Sequence, residues 1–131
     1  MHFRQELHVK EIPKWGGYLR GKWKESFASH LSANQKQTIY LQQYLWHLFS
    51  YEERDHIDGE EAVRAFLKQK KGKCTIFFQH VDDAYVLENA ASLTLTDLVT
   101  DHEDLYVMDW DGKWTFIITH EREFGPYYCK N

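Results

Sequence analysis

Two cysteines, two prolines and no long apolar run set the first limits on this chain. Cys74 and Cys129 are far apart and form no CxxC, so neither a zinc knuckle nor a thioredoxin-type redox site is indicated. No stretch approaches the roughly 20 apolar residues of a membrane span. The opening MHFRQELHVKEIP lacks an apolar centre and does not read as a secretory signal. A cytoplasmic protein with reduced thiols is therefore expected. No run of charge of one sign is long, and the net charge is −4, which argues against general nucleic-acid binding through a clustered basic field. Repeats, low-complexity blocks and linkers are missing, as are GxSxG, GxGxxG and the P-loop.

What is abundant is aromatic: 16% of 131 residues. A chain of this length suits one domain, residues 1–131, with a core that needs no staples. Trp15, Leu19, Trp23 and Phe27 recur every four residues after Pro13 and predict a helix with one apolar stripe. Gly16, Gly17 and Gly21 weaken that helix but allow a close approach to a sheet. Ser32 to Gln35 has the form of a capping box, so a second helix starts near Ala33. The segment IYLQQYLWHLFSYE fits either a helix or, from Tyr44 to Tyr51, a strand. Asp58, followed by Glu61, predicts a helix capped by Asp58 with Ala62, Val63, Phe66 and Leu67 on its buried face, ended by Gly72. Lys68, Lys70 and Lys71 then complement the helix dipole.

CTIFFQH and AYVLEN read as a hairpin around Val81 to Asp83, and Thr94 to Asp97 starts a helical turn. Asp111-Gly112 is a two-residue hairpin signal. It sets Val107 opposite Phe116, Leu105 opposite Ile118 and, carried further, Glu103 opposite His120. The order of elements implies an α+β domain with a mainly antiparallel sheet of about four to five strands and helices on one face. Cys74 is read as a small core hydrophobe and Cys129 as near a flexible end. The Asp residues at 82–83 and 109–111 follow turn preference.

His120 has two readings. Paired with Glu103 at the sheet rim, its pKa rises and its role is structural. Alternatively, His120 with Glu121 or Glu103 lines a groove beside Tyr127 and Tyr128 and acts as an acid–base. The eight histidines show no close ligating spacing, and no metal or cofactor is expected, although His47, His80 and His120 could meet in space.

The segments EIPKWGGYLRGKW, YLWHLFSYE, GEEAVRAF, LENAASLTLTDL and DLYVMDWDGKWTFIITHEREFGPYY together resemble a family of small Bacillus-type bacterial proteins, domain of unknown function 4275. A short Gly-containing insertion that the family often carries before YLWHLF is missing here. The resemblance implies a bacterial, cytoplasmic, single-domain protein and brings no reaction with it. It marks WHLFSYE and THE…GPYY as characteristic, which points to Trp46, His47, Tyr51, Glu52, His120, Glu121, Gly125, Pro126 and Tyr127; Glu103 joins them as the expected partner of His120. Composition and missing catalytic motifs favour a non-catalytic protein-binding module of the immunity or antitoxin kind, a monomer or weak homodimer whose partner is a toxin or enzyme. The alternative is an enzyme or small-ligand protein using the His/Glu site.

Overall fold

The computed structural model describes residues Met1–Asn131. Its centre is the pairing of strands rich in rings and branched residues. In chain order they are β1 (Val9–Glu11), β2 (Ile57–Asp58), β3 (Cys74–Phe78), β4 (Ala84–Leu87), β5 (Leu105–Asp109), β6 (Trp114–Ile118) and β7 (Tyr127–Lys130). They form one antiparallel sheet in the order β1-β4-β3-β5-β6-β7-β2. Seven strands replace the expected four to five, because β1, β2 and β7, of three, two and four residues, are too short to show a strand period in the sequence. The expected register holds, with Leu105 opposite Ile118 and Val107 opposite Phe116, but the connection is a four-residue loop, 110–113, in which the Gly112 N–H donates to Asp109 O at 2.9 Å, rather than a two-residue turn at Asp111-Gly112.

Helices cover both faces, not one. Along β3, all five residues of CTIFF are buried. Ile76 and Phe78 join a core beneath α4 (Gly59–Lys68), while Phe77 joins a second core beneath α1 (Gly16–Phe27). A continuous apolar strand suits a sheet covered on both sides. On the α4 side, Phe66 stacks on Phe116 at 4.2 Å and 11°. On the α1 side, Leu19, Trp23 and Phe27 are buried, and Trp23 Nε1 donates to Thr115 Oγ1 at 3.0 Å. Burial of each large side chain contributes about 1.5–3 kcal/mol.

Several local expectations change. Trp15 precedes α1 and is 36% exposed, so the stripe begins at Leu19. Gly16 lies against the β3–β4 loop, where a Cβ would come within 2.7 Å of Asp82 Cα; the close approach is to this loop. Arg20 fastens the same loop, donating to Phe78 O and Val81 O and pairing with Asp82 at 2.8 Å. The Ser32 capping box forms and starts α2 (Ala33–Thr38). Residues 39–51 are neither a long helix nor a strand: tight turns lead to the single turn α3 (His47–Ser50), with Tyr40 left-handed at φ 54. Asp58 precedes α4 without a side-chain cap bond; Leu67 is exposed, and the helix stops at Lys68, before Gly72. Cys129 lies buried in β7, and the following Asn131 is tied to Lys113, Ser26 and Gly112.

Candidate functional site

Strand pairing ends at Leu105 and Ile118, and the chain turns just before Leu105. Asp104 there is left-handed, at φ 59, a conformation that Asp tolerates better than most residues. Its side chain is fully buried. It accepts from Trp46 Nε1 at 3.0 Å and from the His120 backbone N–H at 3.0 Å. His120 Nδ1 lies 2.9 and 3.0 Å from its two oxygens. Asp104, not Glu103, is therefore the carboxylate hydrogen-bonded to His120. Glu103 is exposed, because the left-handed residue breaks the extrapolated register.

A second hub lies beside it. Gln79 N–H donates to Asp104 O, and Gln79 Oε1 accepts from the Leu45 N–H and the Tyr106 hydroxyl. The Tyr106 oxygen in turn receives the Trp46 N–H at 3.3 Å. No buried side-chain polar atom is left without a partner. The irregular 44–47 segment is thus fixed by hydrogen bonds where no helix or strand ladder reaches it.

The surroundings of His120 favour its charged form. Its hydrogen bond to Asp104 raises the pKa above 6.5 against the opposing effect of burial, and the charges of Asp104, Glu121 and Glu103 add to the rise. Nε2 faces Glu121 at 3.3 Å. A pKa raised on folding contributes stability that is fully present below the ordinary imidazole value and is lost as pH rises through the folded value. The stability gap between the native protein and His120→Gln is therefore expected to shrink as pH climbs from about 5 to about 9. Urea midpoints measured across that range check it; a gap independent of pH contradicts it.

Around this pair the rings gather. Tyr44 touches His47 (5.2 Å between centroids), His80 (5.5 Å) and His120 (5.2 Å). The three histidines do meet, but around a tyrosine. His47 Nδ1 is bound to Ile39 O at 2.7 Å. No three His, Cys, Asp or Glu side chains come together to hold a metal ion. Trp46 stacks on Phe124 at 5.7 Å and on Tyr127 at 6.4 Å. Both Trp46 and Tyr127 are 3% exposed, whereas Phe124 is 42% exposed. The loop carrying Phe124 is closed around Thr119 Oγ1, whose single hydroxyl hydrogen has the Glu121 and Phe124 carbonyl oxygens within reach.

Beside Phe124 lies a groove of about 400 Å³, with Phe49, Phe124 and Tyr127 as apolar walls and Glu52, Asp58, Glu123 and His56 around them. A larger depression of about 650 Å³, walled by Lys24, Lys36 and Tyr40, lies at α2 and shares no residue with the His120 cluster. His120 and His47 line none of the main cavities.

A family model for a domain of unknown function, DUF4275, matches residues 1–128. The chain belongs to this family. Neither the curated proteins nor the solved structures yield a match. No helix of this DUF4275 member is long and apolar enough to cross a membrane.

The candidate residues thus separate into support and surface. Trp46 and Tyr127 lie beneath, and His47 is half-buried. Tyr51, Glu52, Glu103 and Glu121 are exposed, and the His120 side chain is 23% exposed. Asp104, Gln79, Tyr44 and Phe124 were missed. A large apolar residue before Gly-Pro was the available signal for Phe124. Nothing local in the sequence distinguished Asp104 from Glu103.

Proposed function

We propose that this DUF4275 protein is a non-catalytic, cytoplasmic protein-binding module of the immunity or antitoxin kind, binding through the rim that carries Tyr51 and Phe124. The observation carrying this reading is that two exposed aromatic side chains rest on fixed rings: Phe124 on Trp46, and Tyr51 against His47 at 5.2 Å. Large, pre-positioned aromatics lose little conformational entropy on binding and are favoured interface anchors. The two His120 ring nitrogens both face carboxylates, which suits a structural cation better than a proton shuttle. The alternative, a small-ligand or enzymatic site at His120, draws support from the raised imidazole pKa, but that ring lines none of the five main cavities.

Affinity capture from host lysate tests the proposal, with the native protein compared against a Tyr51→Ala, Phe124→Ala double variant. Both positions are exposed, so the variant should keep the native circular dichroism. One stoichiometric protein retained by the native chain and lost by the variant is expected. Equal retention by both, or retention by neither, overturns it.

A further inference from the structure

The groove beside Phe124 offers that one accessible ring, Phe49 and Tyr127 being 1% and 3% exposed, and three carboxylates line it: Glu52, Asp58 and Glu123. Residues 52–61 contain six carboxylates against one arginine, a local net charge of −5 in a chain whose total is −4. That arginine is already engaged elsewhere: Arg54 donates to Phe27 O at 3.0 Å and to Asn131 Oδ1, and its guanidinium lies over the Phe27 ring. Glu52, Asp58 and Glu123, on the groove wall, form no ion pair within the chain. His56 is the one base on the wall, and its Nδ1 is taken up by Arg54 O at 2.9 Å.

We infer that this groove takes an arginine side chain from a basic segment of a protein partner; the inference rests on the protein-binding reading and names the partner's chemistry. A guanidinium suits the combination of walls. It stacks on aromatic faces and donates from its edge to carboxylates, and it sheds water more easily than an ammonium does. The volume falls near the lower end of small-ligand sites, roughly 300–1,000 Å³. The groove is also pre-organised: Asp104 holds the Trp46 indole, Trp46 supports Phe124, and the Gly59 N–H donates to Pro126 O at 2.9 Å, joining the two sides. Ordering lost before binding is not charged again at binding.

The test is a titration of isotope-labelled protein with a short Arg-Gly-Arg peptide, its lysine counterpart and its citrulline counterpart, followed by amide shifts. Shifts confined to residues around Phe124, Tyr127 and His56 are expected, with the citrulline peptide inert and the lysine peptide weaker. Phe124→Ala, which leaves every charge in place, should weaken arginine-peptide binding about tenfold, a loss of about 1.4 kcal/mol. Glu52→Gln with Glu123→Gln should weaken it at least as much. Shifts scattered over the whole acidic surface, or full affinity in Phe124→Ala, would mean diffuse charge attraction and overturn the inference. If a captured partner is lost in the aromatic double variant but the arginine peptide does not bind, the binding reading stands and the arginine site falls. If the peptide seats in the groove but no partner is captured, the site stands and the protein-binding reading falls.

Discussion

Asp104→Ala is expected to lower the stability of the protein by about 3 kcal/mol, as the sum of a buried orphaned donor and a backbone penalty. The Trp46 indole N–H would lose its acceptor inside a site that water does not reach. Alanine at φ 59 also lacks the short polar side chain that makes this conformation tolerable. His120, partly exposed, can rehydrate and adds less. Asp104→Asn separates these contributions: it keeps an acceptor and tolerates the left-handed backbone, but it cannot balance the imidazolium. It should cost less and should flatten the pH dependence attributed to His120. Urea denaturation of both variants at two pH values checks this, and an Ala variant within about 1 kcal/mol of native would contradict the hub described for Asp104.

Trp23→Ala should cost still more, about 3–5 kcal/mol, the usual range for emptying a fully buried aromatic position. Trp23 is 0% exposed and meets Phe27, Phe49 and Tyr106 at centroid distances of 5.3 to 6.0 Å. Thr115 Oγ1 would lose the indole donor yet keep its own donation to Val107 O, so the loss is mainly the cavity. With a typical total stability of about 5–15 kcal/mol, such a variant is marginal. Trp23→Phe keeps part of the ring volume and should lose about half as much. A midpoint for Trp23→Ala close to native would mean that the α1 layer closes over the space.

The register of the β5–β6 hairpin was legible because Asp111-Gly112 lies at the centre of its loop, although that loop has four residues rather than two, and the Ser32 capping box because its signal is local. The double cover of the sheet was not anticipated: CTIFF, apolar except for Thr75, is buried throughout, but alternation elsewhere suggested a single buried face. Residues 39–51 were not legible. Their conformation depends on Gln79, Tyr106 and Asp104, all distant in sequence, and no local period records such hydrogen bonds. The partner of His120 was displaced by one residue for a similar reason: Asp104 turns left-handed, and extrapolation of the ladder fails at that point. Tyr127 and Tyr128 look alike in the sequence, but alternation in β7 sends them to opposite cores.

That separation into two cores has a practical consequence through the cysteines. Cys74 lies wholly buried on the α4 side and Cys129, 2% exposed, on the α1 side. Burial holds both in the unreactive protonated form, pushing Cys74 to about 12 and raising Cys129 as well. An alkylating reagent can reach either one only when the layer above it lifts. The two modification rates therefore act as separate internal clocks, one for each side of the sheet, and their ratio tells whether the molecule breathes as a unit or sheds one covering first.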